Sequence, residues 1–194
     1  MNILITGANG FVGQALVNRL ATLLAAGQSP IEIETATLLD IQFDNAAPHP
    51  CFRQVTGSIG DSALLKAVLA EPFDLVFHLA SIPGGLAEKN YELGRAINLD
   101  ATLELLESLR HQAKPPVVVF ASTIGVFGAP IPKLITDDTP ARPNNMSYSA
   151  QKMIGEILID DFSRRGWIDG RSLRLPGIVA RPPQPNGAIS IFMS

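Results

Sequence analysis

The first thirteen residues constrain the fold more than any other stretch. Asn2-Ile3-Leu4-Ile5-Thr6 is a short apolar run, long enough for one buried strand, and it meets Gly7-Ala8-Asn9-Gly10-Phe11-Val12-Gly13 without a linker. A helical pattern follows at once, with Val12, Leu16, Leu20 and Leu23 on one face. A strand, a glycine-punctuated turn and a helix N-terminus make an anion site, because backbone N–H groups and the positive end of the helix dipole point at one spot. The first glycine lets the chain turn, the second removes the Cβ that would hold a pyrophosphate away, and the third lets helix pack on strand. The spacing is G-x-x-G-x-x-G rather than the G-x-G-x-x-G of many dehydrogenases, and glycine triplets also occur in plain turns. The flanking strand and helix favour nucleotide binding.

Length and charge narrow the partners. The chain has 194 residues, 46% of them hydrophobic, with a net charge of −3. That is one domain with a real core and no basic surface for nucleic acid. Cys51 is the only cysteine, which excludes an internal disulfide and fits a reducing compartment. His49, His78 and His111 are scattered, with no cysteine or carboxylate at ligand spacing, so no metal site is expected. No apolar stretch reaches membrane-spanning length, and the expectation is a soluble, cytoplasmic protein without membrane partners.

Along the chain, strands and helices alternate, with no internal repeat and no linker. The first helix ends near Gly27, and a second strand closes on Leu38-Leu39-Asp40. A carboxylate at that tip can accept both hydroxyls of an adenosine ribose and would repel a 2′-phosphate. No arginine follows Asp40, so NAD is favoured over NADP; alone, Asp40 is equally well a solvated strand end. Cys51–Val55 reads as a third strand, residues 62–70 as a helix capped by Asp61, and Phe73–Ala80 as a buried strand with a loop at Ser81–Gly85. A long helix is expected over 88–112, with Leu99, Leu103 and Leu106 on its stripe. Val117–Ala121 is the most strand-like run, with Ser122 and Thr123 at its tip. After a proline-rich loop to Asn145, a helix from Ser147 to Arg165 is expected to bury Ile154, Ile157, Leu158 and Phe162, and Ser172–Leu175 is one more strand. The architecture expected is α/β, a doubly wound parallel sheet of the Rossmann kind.

Tyr148 and Lys152 stand four apart near the start of a helix and so share a face. By itself this is as readily a surface pair. Thr123, at the tip of the strand nearest that helix in a doubly wound order, completes a proton-transfer set of phenol, ammonium and hydroxyl. A phenol ionises near pH 10 when unperturbed. An ammonium about 4 Å away contributes roughly 4 kcal/mol at an effective dielectric near 20, about three pKa units before burial is counted against it. The phenol can then work as a base near neutral pH. Thr123 would hold the substrate oxygen while a nicotinamide exchanges hydride with the carbon that bears it.

These residues resemble the extended short-chain dehydrogenases/reductases, the NAD-dependent epimerase/dehydratase family. The likeness rests on the glycine turn 7–13, Asp40, His78-Leu79-Ala80-Ser81, Asn98, Ser122-Thr123 followed by Val126-Phe127-Gly128, and Tyr148-x-x-x-Lys152. It implies that Tyr148 is the acid/base, Lys152 its electrostatic partner and ribose anchor, Thr123 the hydroxyl of the site, and Asn98 a member of the catalytic set that supports the lysine through water. It implies cofactor contacts at Gly7, Asn9, Gly10, Phe11, Val12 and Gly13, at Asp40, Ser58 and Ile59, and at Leu79, Ala80 and Ser81. Asn98, Ala121, Tyr148, Lys152 and Pro176 complete that set. One departure is Gly57-Ser58-Ile59, where members of the family often have Gly-Asp-Ile or Gly-Asp-Leu beside the adenine; Ser58 offers a neutral hydroxyl instead.

The second half is similar to the D-erythronate dehydrogenase branch. The run Tyr148-Ser149-Ala150-Gln151-Lys152-Met153-Ile154-Gly155-Glu156 carries this likeness, with Asp169-Gly170-Arg171, Leu173-Arg174-Leu175-Pro176 and Arg181-Pro182. It implies NAD-dependent oxidation of the C2 hydroxyl of a small sugar acid. Ser81, Thr123 and Tyr148 would hold the substrate, with Arg181 or Asn186 at its carboxylate, although Arg181 beside prolines equally reads as a surface charge. Residues 1–180 are expected to be the NAD-binding domain and 181–194 the start of a substrate-binding region cut short, so that the chain binds NAD but turns over poorly. The two long helices resemble the pair through which such proteins form dimers. An epimerase or dehydratase of nucleotide sugars shares every cofactor motif, and a non-catalytic NAD sensor is a third reading, disfavoured because a sensor needs neither Tyr148, Lys152 nor Thr123.

Overall fold

Ile3, Leu4 and Ile5 are each fully buried, yet they serve two different cores. Leu4 joins a cluster with Val76, Val118, Phe120, Leu105, Leu106 and Phe162, while Ile3 and Ile5 join Ala36, Leu38, Val17 and Leu20 on the other side. Alternate side chains of a strand point to opposite faces, so the first strand lies in the middle of a sheet covered on both sides. The computed structural model describes residues 1–177.

The sheet has six strands: β1 (Asn2–Thr6), β2 (Thr35–Asp40), β3 (Phe52–Thr56), β4 (Leu75–His78), β5 (Val117–Thr123) and β6 (Asp169–Leu175). Their spatial order is β3-β2-β1-β4-β5-β6, and every pairing is parallel. Helix α1 (Phe11–Ala25) covers one face. Helices α2 (Ser62–Val68), α5 (Ala101–Leu109) and α6 (Ser147–Arg164) cover the other. The chain runs outward from β1 to β2 and β3, then crosses back to β4 on the other side of β1. The loops at their carboxyl ends therefore part and leave a crevice, which is where ligands bind in open α/β sheets. The doubly wound parallel sheet expected from the sequence is the fold observed.

Several elements differ from the sequence reading. The buried stripe of α1 is Gly13, Val17, Leu20 and Ala21, so Leu16 and Leu23 sit at its margins. Ser81–Gly85 is not all loop, because α3 (Gly84–Lys89) begins there. The single helix expected over 88–112 is broken into α4 (Tyr91–Arg95), a π-helical turn (Ala96–Asp100) and α5. The Asn90 side chain ends α3's run by accepting the Leu93 N–H at 3.0 Å, and the wider π turn shifts the helical phase. Leu103 is consequently exposed, while Leu105, Leu106 and Leu109 face the core. In α6, Ile154 and Ile157 are exposed, and the buried face carries Ser149, Gln151, Lys152, Gly155, Glu156, Ile159 and Phe162. No helix among the described residues is long and apolar enough to cross a membrane.

Candidate active site

The glycine turn is built as tightly as its spacing requires. Gly7 has φ +71°, and a Cβ there would lie 2.6 Å from the Ala80 nitrogen. A Cβ on Gly13 would lie 2.0 Å from the Gly7 carbonyl oxygen, so α1 can meet β1 only through a glycine. Gly10 is the N-cap of α1, no side chain caps that helix, and its first turn holds no acidic residue. These are the features of a cradle for an anion at a helix N-terminus. At the tip of β2, Asp40 accepts the Asn9 N–H at 2.7 Å and the Ile41 N–H at 2.7 Å. A carboxylate has about four lone-pair sites, so two remain for a ribose diol. Asn9 is held further by Asp44, through its side-chain amide at 3.3 Å, and by Gln14, which donates to its carbonyl at 2.8 Å.

A cleft of about 580 Å³ opens above this turn. Gly7, Gly10, Phe11, Val12 and Gly13 form its floor; Leu79 and Ser81 border it after β4, and Ala121 and Thr123 at the tip of β5. Tyr148 and Pro176 close the far wall. Asn9, Asp40, Ala80, Asn98 and Lys152 are not among the lining residues. Ser58 accepts the Gly60 N–H at 3.1 Å within the turn after β3, and the Ile59 side chain is buried in the core. Neither lines the cleft. Arg181 and Asn186 lie outside the described residues. The donor set and the glycine cradle fit a dinucleotide.

Lys152 is 1% exposed. Its Nζ lies 4.7 Å from the centroid of the Phe120 ring and 5.9 Å from that of Tyr148. Burial disfavours the ammonium and pushes its pKa down to about 7. Thr123, on the cleft wall, accepts the Gly125 N–H through Oγ1 at 3.1 Å, a bond that does not use its hydroxyl proton. Gly125 is fitted to this corner, since a Cβ there would meet Ser149 Oγ at 2.6 Å.

A buried polar chain fixes the rear of the site. Thr102 Oγ1 donates to the Asn98 carbonyl at 2.9 Å, so His78 Nε2, 2.9 Å from the same hydroxyl, must be the donor to it. His78 Nδ1 then accepts from Thr6 Oγ1 at 2.8 Å. The network thus assigns a neutral Nε2–H imidazole, in line with burial and the nearby Lys152, which push its pKa down to about 3. The Asn98 side chain accepts the Ile82 N–H at 2.7 Å and donates to Ile82 O at 3.1 Å and Gln151 Oε1 at 2.8 Å. Both amide hydrogens are used, and the Asn98 side chain ties α6 to the loop after β4.

Sequence reasoning passed over three contributors. Ser149 is buried, lines the cleft, and its hydroxyl has no hydrogen-bond partner among the described residues. Its spacing of three from Lys152 was a signal. Glu88 of α3 accepts the N–H of Ser147 and so caps α6, whose own N-cap, Met146, has no capping side chain. A separation of 59 residues hides that cap from any local pattern. Glu156 binds Ser122 and Arg174 below the site.

Residues 3–194 match the profile of the NAD dependent epimerase/dehydratase family. The chain belongs to that family. It is 44% identical, over its whole length, to a D-erythronate dehydrogenase of Cupriavidus necator, and 37% identical to one of Haemophilus influenzae. It spans about 60% of the length of each of these relatives. Among solved structures, it is similar to a nucleoside-diphosphate-sugar epimerase from Agrobacterium tumefaciens, with a TM-score of 0.87 at 37% identity, covering 99% of this chain and 57% of that one. A UDP-glucose 4-epimerase of Thermus thermophilus in complex with NAD gives 0.78 at 25% identity, covering 98% and 59%.

Proposed function

We propose that this chain is the cofactor-binding part of an NAD-dependent dehydrogenase that oxidises the C2 hydroxyl of a small sugar acid of the D-erythronate type. The observation that carries this reading is the meeting of three groups at the mouth of the glycine cradle. Tyr148 and Thr123 line one cleft with Gly10, and the Lys152 ammonium is held behind the Tyr148 ring. Held at the turn Gly7–Gly13, a bound NAD would supply the hydride acceptor for the carbinol carbon. Thr123 donates its free proton to the substrate oxygen and orients it. Tyr148 removes the hydroxyl proton, and the positive charge of Lys152 favours the phenolate that does so. Asp40 would hold the adenosine ribose and, through its charge, disfavour a 2′-phosphate.

The two D-erythronate dehydrogenases among the relatives support a free sugar acid as substrate. Residues 1–180 are read as the cofactor part, with the substrate region beginning at 181, where Arg181 and Asn186 are the proposed partners of the substrate carboxylate. Ser81, at the cleft border, is a proposed hydroxyl contact. The protein is read as a cytoplasmic homodimer. The likeness to a nucleoside-diphosphate-sugar epimerase favours a second reading, in which the cofactor is recycled rather than released.

Absorbance in the reduced-nicotinamide band, followed with NAD or NADP and a panel of four- to six-carbon sugar acids, tests the assignment. NADH should accumulate with a four-carbon acid, and Tyr148→Phe should lower its rate by about 10²-fold or more. Turnover of a nucleotide sugar without net NADH supports the epimerase instead, and a fully active Tyr148→Phe refutes the proton-transfer role.

A further inference from the structure

The segment after β2 brings a second carboxylate to the glycine turn. Asp40 Oδ2 accepts the main-chain N–H of Asn9 at 2.7 Å, and Asp44 Oδ2 accepts a side-chain N–H of the same residue at 3.3 Å. Gln14 of α1 donates from Nε2 to the Asn9 carbonyl at 2.8 Å and to Asn9 Oδ1 at 3.0 Å. The carboxamide is thus oriented from both ends, with its nitrogen on the Asp44 side. One asparagine inside the glycine turn joins both negative charges to the cradle.

Asp44 is exposed, but the chain on either side of it is anchored. Phe43 packs against the core beneath α1, and the Asn45 carbonyl accepts from Gln54 Nε2 of β3 at 2.8 Å. The two carboxylates differ in what they already hold. Asp40 accepts two main-chain N–H groups, from Asn9 and Ile41. Asp44 accepts one side-chain N–H, near the long end of hydrogen-bonding distance. Among the described residues, no lysine or arginine forms an ion pair with either carboxylate. Arg53 of β3 is paired with Glu71 at 3.4 Å, and Arg19 lies more than two helical turns beyond the N-cap of α1.

We propose that Asp44 is a specificity-determining residue for the cofactor, whose charge adds to that of Asp40 and turns away a dinucleotide phosphorylated at the ribose 2′ oxygen. This rests on the reading that Asp40 holds the adenosine ribose. A 2′-phosphate would take the place of a hydroxyl offered to Asp40 and bring about two negative charges with it. Like charges act on one another over about 10 Å at 0.1 M ionic strength, so Asp44 need not touch the phosphate to repel it. A 2′-hydroxyl is neutral and meets no such repulsion. The pyrophosphate is common to both dinucleotides and cancels in the ratio of their affinities. Because Asp44 is exposed, its repulsion fades as salt is added, whereas a role in shaping the turn would not.

The ratio of the dissociation constants of NADP and NAD is the test, and it needs no turnover. NAD is titrated into the full chain by calorimetry, and NADP is measured by its displacement of NADH, followed by nicotinamide fluorescence. At low ionic strength, Asp44→Asn, which keeps an acceptor for Asn9, should lower the ratio about fivefold. Asp44→Glu should stay near the parent value, and Asp44→Lys should fall below Asp44→Asn. In about 1 M salt, where the screening length is about 3 Å, the parent and Asp44→Asn should differ by less than about twofold. An unchanged ratio in Asp44→Asn overturns the proposal, because Asp40 alone would then exclude the phosphate. So does an equal fall in Asp44→Glu, or a fall in Asp44→Asn that salt does not diminish, since the shape of the turn and not its charge would then be the cause. If neither dinucleotide binds the parent chain, the cofactor reading is refuted and this inference falls with it. A lack of NADH formation from every sugar acid would refute the substrate reading alone.

Discussion

Lys152 is held at an energetic disadvantage in the folded chain. An unfolded lysine keeps its proton up to about pH 10.4, whereas burial lowers the Lys152 pKa to about 7. Between these values the unfolded chain binds the extra proton, so stability contributed through this group rises with pH. Below about 7 the whole penalty is present, and above the unfolded value it is gone. Lys152→Met keeps the stem against Phe120 and Tyr148 and removes the charge. Without cofactor, it should be more stable than the parent by about 1–3 kcal/mol near pH 6, the gain fading towards about pH 10. Urea melts at the two pH values measure this; a gain that does not change with pH would show that the ammonium carries no such penalty. The same residues explain what the sequence reveals and what it hides. Tyr148, Lys152, Thr123, Asp40 and the glycines are legible because each sits in a short local pattern. Gln151 and Glu156 are hidden because apolar periodicity assigns Ile154 and Ile157 to the core, whereas both are exposed. In α6 the buried stripe is where the site keeps its polar groups, and Gly155 makes room for Phe120, which a Cβ would meet at 2.6 Å.

Helix α6 depends on its neighbours more than on its own sequence for its first turn. Met146 offers no cap, no acidic residue lies in that turn, and the Ser147 N–H is taken by Glu88 from α3. The same short segment packs onto Tyr148, since a Cβ at Gly84 would come within 3.6 Å of its ring. Through Asn98, the π turn grips Gln151. The pieces into which the expected 88–112 helix is broken are thus the parts that place the phenol. That break was beyond sequence periodicity, because one extra residue in a π turn rotates everything after it. Glu88→Ala should cost about 1 kcal/mol, the usual worth of a cap. It should lower kcat severalfold while leaving the dissociation constant for NAD unchanged, because the glycine cradle lies on a different helix. Denaturant melts and NAD titration by fluorescence quenching check both. A weakened NAD affinity would mean that α3 acts on the cradle rather than on α6.

At the scale of the whole molecule, the sheet order is what unites the two halves of the site. The loops after β1 and β4 part at the switch point, so the glycine turn 7–13 faces one cleft with Thr123 and Tyr148. The outward surface of the helical layer is then the remaining question. Ile154 and Ile157 on α6 are 41% and 55% exposed, and Leu103 on the neighbouring α5 is 39% exposed. Apolar residues on two adjacent helices suit a two-fold contact, in which the same surface meets itself and each substitution counts twice. The buried stripe of α6 faces the sheet and carries the site, so the outward stripe can change without touching it. Ile157→Glu should convert a dimer to a monomer in sedimentation or light scattering and leave NAD affinity unaltered. If the parent chain already runs as a monomer at tens of micromolar, the homodimer reading fails and these isoleucines need another explanation. If Ile157→Glu instead weakens NAD binding without changing mass, then α6 is less rigid than its double anchorage to Glu88 and Arg174 implies, and the separation of its two faces is wrong.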